Sequence, residues 1–184
     1  MQRKRRLQII EYYNKLSSVY EKLYGEEQVA KYRVISRRVS PRGRIGDFGC
    51  GTGLYLVELA RNRNVEMVVG IDASIGMLSK AKEKKNEAVE LIAGDICLLP
   101  LRPNSLDFAY SITVIDDAET LYTFLNEVKD VLRSGILVLG VLRKSLLSSE
   151  NIEKIVNDCG FKISCRMDVP TVKDIILVCR EENE

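Results

Sequence analysis

Histidine is absent from this chain of 184 residues, and its absence narrows the chemistry that the sequence can support. Without histidine there is no Ser-His or Cys-His catalytic pair, and the commonest general base is missing. No stretch approaches 18 consecutive apolar residues, so the sequence predicts no transmembrane helix. The basic first residues precede too few apolar residues for a signal peptide, and we therefore expect a cytoplasmic protein.

Cysteine is present, but not in the spacing of a metal site or a disulfide framework. No CxxC pair occurs. The cysteines are Cys50, Cys97, Cys159, Cys165 and Cys179. Because their number is odd and histidine is lacking, we expect buried free thiols and no metal site.

Positive charge is concentrated at the start of the chain, although the net charge of the whole chain is only +2. Residues 1–44 hold 12 basic and 4 acidic residues, a net charge of +8, whereas residues 45–184 carry −6. This asymmetry favours a basic face for an anionic partner, with RNA as the first candidate. The alternative is a solvated helix face behind a disordered basic start.

Short apolar strands alternate with helices from residue 44 onward. Before that point, apolar spacing predicts a helix over residues 7–39 that is broken at Gly25 into two, and the second of these ends before Pro41. The predicted strands are 44–48, 65–72, 88–94, 105–115, 135–142, 161–169 and 174–180. The predicted intervening helices are 54–62, 74–85, 118–133 and 148–159. This alternation predicts one domain with an open, mostly parallel sheet that ends in an antiparallel hairpin.

The stretch DFGCGTG, residues 47–53, follows the first predicted strand of the sheet. Glycines at a strand-to-helix turn allow a ligand to approach the main-chain N–H groups closely. The spacing GxGxG differs from the GxGxxG of dinucleotide sites, and Asp47 would repel a pyrophosphate. A carboxylate at this place suits a ligand that carries an ammonium group.

Two more acids end the next two predicted strands. Asp72 can accept hydrogen bonds from a ribose diol, and Asp95 can accept one from the exocyclic amine of adenine. Met77 and Ile96 can pack on the two faces of the adenine ring. Each acid alone also fits a helix cap or a surface turn, but their succession beside the glycine turn favours a nucleoside site.

These motifs together resemble those of the class I S-adenosylmethionine-dependent methyltransferases. DFGCGTG resembles the first motif of that family, GIDAS the acidic end of its second strand, and GDICLLPL with NSLDFAYSITVI its third and fourth strands. The resemblance covers nearly the whole chain. It implies a Rossmann-like core over residues 44–184, a sheet with seven strands and a basic helical lid over residues 1–43.

The resemblance also implies which residues hold the cofactor, S-adenosylmethionine. The glycines would cradle its methionine part, with Asp47 near the ammonium, and the backbone of Ser111 would face the same end. An N-terminal tyrosine helix would cover it, which makes Tyr13, Tyr20 and Tyr24 candidates. The predicted cofactor set is Asp47, Gly49, Cys50, Gly51, Gly53, Asp72, Ala73, Met77, Asp95, Ile96, Ser111 and Tyr24.

The end of the fourth predicted strand, SITVIDDAET, is the place to look for a catalytic group. Asp116 is the candidate base or orienting group there, and Asp117 follows it. Either aspartate could instead cap the next helix. Methyl transfer needs a base only when the acceptor must lose a proton, so this assignment stays open.

The methyl acceptor is predicted mainly from absences. There is no Asn/Asp-Pro-Pro-Tyr motif, no Pro-Cys nucleophile after the fourth strand, and no long insertion to enclose a substrate. GCGTGLYL and SITVIDD are similar to sequences of the wobble-uridine tRNA methyltransferases, which favours RNA, with a small zinc-binding activator subunit as a possible partner. GDICLLPLRPNSLDFAYS resembles the quinone C-methyltransferases equally well. A small-molecule methyltransferase and a non-catalytic cofactor-binding subunit therefore stay open.

Overall fold

The computed structural model describes residues 2–145 and 147–182, with the backbone alone for residues 2, 3 and 134. The helices are α1 (Gln2–Leu16), α2 (Tyr20–Ser36), α3 (Leu54–Ala60), α4 (Ile75–Lys82), α5 (Ala118–Val131) and α6 (Ser149–Asp158). The strands are β1 (Gly43–Phe48), β2 (Val65–Asp72), β3 (Val89–Ala93), β4 (Leu106–Ile112), β5 (Leu132–Leu142), β6 (Phe161–Met167) and β7 (Asp174–Glu181). The predicted domain limits, 1 and 184, lie outside the described residues.

The strands form one seven-stranded sheet in the order β3-β2-β1-β4-β5-β7-β6. β1 to β5 run parallel, and β7 pairs antiparallel with both β5 and β6. This arrangement confirms the predicted α/β, Rossmann-like architecture with its antiparallel C-terminal hairpin. The order reverses between β1 and β4, and ligands bind outside the carboxyl ends of parallel strands at such a point.

Helices cover both faces of the sheet because the central strands are apolar on both sides. On one face Phe124 and Val128 of α5 pack with Phe48 and Ile71 of β1 and β2. A second apolar cluster joins α2, α3 and α4 to the other face. Its members include Tyr32, Ile35, Tyr55, Leu56, Leu59, Val68 and Tyr110. None of the described helices has both the length and the apolar character that a membrane span requires.

The break between the two N-terminal helices lies at residues 17–19, and the prediction of a break at Gly25 was wrong. Gly25 lies inside α2. The break follows the docking of α1 on α4, where Asn14 Oδ1 accepts hydrogen bonds from Ser74 Oγ and Gly76 N–H, each at 2.8 Å. A tertiary contact therefore outweighs the helix-breaking tendency of glycine.

Two predicted boundaries in the second half of the sheet also move. β5 begins at Leu132 rather than at residue 135, and β4 ends at Ile112 rather than at residue 115. β4 ends early because Thr113 adopts a left-handed backbone conformation, with φ of +66°. A β-branched residue rarely adopts this conformation, which costs of order 1–3 kcal/mol and persists only where surrounding contacts hold it.

A buried charge cluster holds Thr113 and joins α2 to the sheet. Lys31 is fully buried, and its Nζ lies 2.7 Å from Thr113 Oγ1, 2.9 Å from Asp174 Oδ1 and 3.2 Å from Glu27 Oε1. Thr113 Oγ1 in turn donates a hydrogen bond of 2.6 Å to Asp174 Oδ2. One ammonium group therefore links α2, the end of β4 and the start of β7.

We expect Lys31→Met to destabilise the protein by about 3–5 kcal/mol, because removal of one member of a buried ion pair leaves the other charge uncompensated. Urea unfolding of the variant measures the loss. The matched control is Lys15→Met, since Lys15 forms an exposed pair with Glu11 on α1 and such pairs contribute about 0–1 kcal/mol. Equal losses in the two variants would contradict a structural role for the cluster.

Candidate functional site

A cavity of about 160 Å³ lies between the sheet and α1, at the carboxyl ends of β1, β2 and β4. Its lining combines backbone from the glycine turn, side chains from the two following strand ends and apolar side chains from α1. The lining residues are Ile9, Ile10, Tyr13, Tyr20, Gly49, Gly51, Asp72, Ala73, Ser74, Met77, Gly94, Asp95, Ile96, Ile112, Thr113 and Val114. Helix α1 and the start of α2 thus contribute side chains to this cavity.

The glycine turn leaves open space at the cavity. Gly51 has a φ of +56°, and a Cβ at this position would meet no protein atom within 4 Å. At Gly53, by contrast, a Cβ would lie 2.9 Å from Ala81 Cβ, so this glycine lets α3 begin close to α4. Glycine is needed at position 51 for its left-handed backbone conformation, and the open space beside it is available to a ligand.

The Asp72 carboxylate fixes the position of this turn. Asp72 accepts hydrogen bonds from Gly51 N–H and Ser74 N–H, each at 2.8 Å. Burial raises the pKa of Asp72, and the two backbone donors counteract that rise. One side chain therefore connects the β1–α3 turn to the N-terminus of α4, where Ser74 caps the helix.

Asp47 is buried at the end of β1, and none of the described residues donates a hydrogen bond to its carboxylate. Burial, together with the negative charge of Asp72, raises the pKa of Asp47 to about 7. A buried carboxylate without a partner is costly when it is ionised. The site therefore favours a cationic group close to Asp47.

Asp95 and Asp116, predicted for adenine and for catalysis, both pair with arginines of α1. Arg6 Nη1 lies 3.0 Å from Asp95 Oδ2, and Arg5 Nη2 lies 2.9 Å from Asp116 Oδ2. Asp117 is the cap of α5, since it accepts hydrogen bonds from both Thr120 N–H and Thr120 Oγ1. Two arginines of the basic N-terminal segment thus form ion pairs within this chain.

Seven of the twelve predicted cofactor residues line this cavity, and the other five lie elsewhere. Gly49, Gly51, Asp72, Ala73, Met77, Asp95 and Ile96 line the cavity. Asp47, Cys50 and Ser111 are buried behind this lining, and Gly53 precedes α3. Tyr24 lies at a neighbouring cavity, whereas Tyr13 and Tyr20 take the lid position. The contributions of Ile9 and Ile10 were not predicted, because only the docking of α1 brings them there, and that of Val114, just after β4, was not predicted either.

The neighbouring cavity, here called the tyrosine chamber, has a volume of about 560 Å³. It lies between the lid helices, the end of β5 and the β6–β7 loop. Its lining residues are Tyr12, Tyr13, Leu16, Tyr20, Tyr24, Glu27, Gln28, Lys31, Thr113, Leu142, Arg143, Lys144, Pro170, Val172 and Lys173. Tyr13, Tyr20 and Thr113 line both cavities, so the two spaces adjoin.

Comparison with known proteins identifies the family. The family described as methyltransferase domain matches residues 46–139, which is more than half of the chain. Uncharacterized protein MJ1252 of Methanocaldococcus jannaschii is 32% identical over 136 residues, covering 72% of this chain and 51% of that protein. Ubiquinone/menaquinone biosynthesis C-methyltransferase UbiE of Campylobacter jejuni is 33% identical over 150 residues, covering 71% and 62%. The chain spans about half to three fifths of the length of these two relatives.

Solved structures share the fold at low sequence identity. A Haloferax volcanii methyltransferase, solved in a complex with the Trm112 methyltransferase activator, superposes with a TM-score of 0.77 at 14% identity, covering 94% of this chain and 98% of that one. Magnesium protoporphyrin IX methyltransferase ChlM of Synechocystis PCC 6803, solved with bound S-adenosylmethionine, also gives 0.77 at 18% identity, covering 95% and 96%.

The family match and the shared fold agree with the glycine turn, its bridging aspartate and the acid at the next strand end. This chain therefore belongs to the methyltransferase domain family, as a class I methyltransferase whose cofactor is S-adenosylmethionine.

Proposed function

We propose that this protein transfers the methyl group of S-adenosylmethionine to a small molecule held in the tyrosine chamber. The observation that carries the proposal is the chamber itself. Its volume of about 560 Å³ is within the usual range of small-molecule sites, about 300–1,000 Å³. At Thr113 it adjoins the cavity of about 160 Å³, to which we assign the cofactor and which is here called the cofactor cavity. An acceptor in the chamber would lie next to the methionine end of the cofactor.

The residues around the smaller cavity suit the cofactor part by part. Because its volume of about 160 Å³ is below the usual range, we assign the adenine end to the adjoining cavity of about 200 Å³ that shares Asp95 and Ile96 with it. Gly51 leaves room for a ligand next to the backbone, and Asp47 lacks a cationic partner that an ammonium group would supply. We assign the ribose hydroxyls to Asp72, whose two oxygens each keep a lone pair beyond the backbone hydrogen bonds. We assign the adenine amine to Asp95 and the ring faces to Met77 and Ile96.

When bound, S-adenosylmethionine supplies an electrophilic methyl group on a sulfonium. The chain then has to hold the acceptor in line with that methyl, and such orientation can contribute about 7–11 kcal/mol. Thr113 and Asp116 are the polar side chains that we assign to this task, since both line a third cavity beside Tyr13. Asp116 would act as a base or an orienting group only after release from Arg5.

A macromolecular acceptor, with RNA first, is the second candidate, and the exposed basic residues at the end of α2 favour it. Arg33, Arg37 and Arg38 are exposed there. The Haloferax volcanii protein of the same fold was solved with an activator, so a small activator subunit belongs to this candidate. The internal pairs of Arg5 and Arg6 count against it, because they engage part of the positive charge.

The first experiment follows labelled methyl groups from S-adenosylmethionine into a low-molecular-mass extract and into bulk tRNA. We expect label in the small-molecule fraction, and label in tRNA alone would overturn the proposal.

Asp72→Ala is expected to weaken S-adenosylhomocysteine binding about 10- to 150-fold, from the loss of charged hydrogen bonds worth about 1.5–3 kcal/mol. Asp158→Ala, at an exposed position on α6, is the matched control.

Asp47→Asn is expected to abolish the pH dependence of S-adenosylhomocysteine binding near neutrality. In the wild type the ligand's ammonium favours the ionised carboxylate, so binding below about pH 7 must displace a proton. Affinity is then constant above about pH 7 and falls by up to tenfold per pH unit below it. Calorimetry from about pH 5.5 to about pH 8.5 measures this. A constant wild-type affinity over that range would mean that Asp47 does not meet the ammonium.

Arg6→Ala is expected to strengthen S-adenosylhomocysteine binding about 1.4- to fivefold. Arg6 holds the carboxylate that we assign to adenine, and exposed ion pairs of this kind contribute about 0.2–1 kcal/mol. Calorimetric titration measures the change, and Arg33→Ala, which removes an exposed arginine of α2, is the control. Weaker binding by the Arg6 variant would instead show that this arginine contacts the cofactor.

A further inference from the structure

Four tyrosines form a continuous wall on the lid side of the tyrosine chamber. The ring centroids of Tyr12 and Tyr13 are 5.4 Å apart, those of Tyr13 and Tyr20 are 6.4 Å apart, and those of Tyr20 and Tyr24 are 5.3 Å apart. The rings meet edge to face or tilted, which is the arrangement that their quadrupoles favour. The tyrosine pairs thus support one another and hold a fixed aromatic surface.

Much of this aromatic surface is not covered by the protein. Tyr12 is 55% exposed and Tyr24 is 36% exposed, although both line a concave space. Exposed apolar surface gathered in a cavity marks a binding site rather than ordinary surface composition. A planar ring stacked on these tyrosines would cover surface that the chain leaves to solvent.

The charges around the chamber are mostly paired within the chain. Lys31 pairs with Asp174, Lys173 pairs with Glu27, and Arg143 pairs with Asp168. Arg143 also donates to the backbone oxygens of Val169 and Val172, which holds the β6–β7 loop against β5.

One lining cation differs from the others. Within residues 2–145 and 147–182, no acidic side chain pairs with Lys144, which is exposed at the mouth of the chamber. The chamber thus offers one uncompensated positive charge next to an aromatic wall.

Thr113 supplies a polar group where the two cavities meet. Its hydroxyl donates to Asp174 and accepts from Lys31, so one lone pair is left. That lone pair can accept a hydrogen bond from a hydroxyl or an amine of a bound molecule. The buried cluster around Lys31 fixes the direction in which this acceptor site points.

We infer that the tyrosine chamber binds a planar aromatic molecule with an anionic substituent, its ring on the tyrosine wall and its anion at Lys144. The inference rests on the proposed function, since it names the class of methyl acceptor. The hydroxyl or amine that receives the methyl group lies at Thr113, toward the cofactor. Transfer forms the bond from that oxygen or nitrogen to the methyl carbon and breaks the sulfonium bond. The acceptor's proton leaves to solvent or to Asp116, and S-adenosylhomocysteine is released.

The test uses 8-anilinonaphthalene-1-sulfonate, an aromatic anion, with the full chain saturated with S-adenosylhomocysteine. We expect fluorescence titration to show one saturable site. The uncharged analogue N-phenyl-1-naphthylamine is expected to bind about three- to fivefold more weakly, because it cannot form the exposed ion pair with Lys144. Equal affinity for the two probes, or the absence of a saturable site, would overturn the inference.

Variants locate the probe. Lys144→Glu is expected to weaken binding of the sulfonate at least as much as removal of the sulfonate does, and Tyr12→Ala is expected to weaken both probes. The matched controls are Lys162→Glu, on β6, and Tyr122→Ala, which removes an exposed tyrosine of α5. A loss of affinity that is as large in the controls would show nonspecific adsorption and overturn the inference.

Two further measurements separate this inference from the proposed function. Calorimetry with S-adenosylhomocysteine is expected to give unchanged affinity in Lys144→Glu, since Lys144 does not line the cofactor cavity. If the cofactor product binds and the aromatic probe does not, only the inference fails. If bulk tRNA displaces the probe, the chamber is part of a macromolecular site, and the small-molecule proposal fails together with the inference.

Discussion

The position of the lid depends on one buried ammonium group. Lys31 lies in α2, yet its Nζ contacts side chains from the end of β4 and the start of β7, so it joins three segments that are distant in sequence. Because a charge inside a protein is stable only with its partners in place, the lid helix has few alternative ways to pack. The same contacts hold Thr113 in its left-handed conformation at the junction of the two cavities.

The charges at the proposed cofactor cavity are less well compensated than the charge that holds the lid. Asp72 is held by backbone donors on two elements, whereas Asp47, one strand away, has no donor among the described residues. A buried carboxylate and a partly buried one that lie close together repel each other, and the chain carries that cost without a bound ligand. Active sites commonly accept such a loss of stability, since a site that is already satisfied has little free energy left for binding.

The sequence was sufficient for the sheet and for the meeting of the glycine turn with the acids of the next two strand ends at one cavity, because those features depend on the order of elements along the chain. The glycine turn, Asp72 and Asp95 each follow a strand, and parallel strands bring such ends to one edge. The lid was less predictable. The docking of Asn14 on α4 decides where the first helix ends, and this contact spans 60 residues.

The same limit applies to charge. The N-terminal excess of positive charge was visible in the sequence, but the partners of Arg5 and Arg6 were not. Both arginines reach acids about 90 to 110 positions away, at the ends of strands. A charge pattern along a helix shows which side chains could form ion pairs. Only the packing of that helix decides which of these charges remain free to bind another molecule.

The tyrosine chamber is lined mostly by residues outside the segment that matches the family. The family match spans residues 46–139, and within that span only Thr113 lines the chamber. Every other lining residue comes from the N-terminal helices, the end of β5 or the β6–β7 loop. Substitutions in these segments can therefore reshape the chamber while residues 46–139 keep their sequence. The glycine turn and the acids at the strand ends can thus stay constant while the shape of the neighbouring chamber varies, although Tyr13, Tyr20 and Thr113 line both cavities.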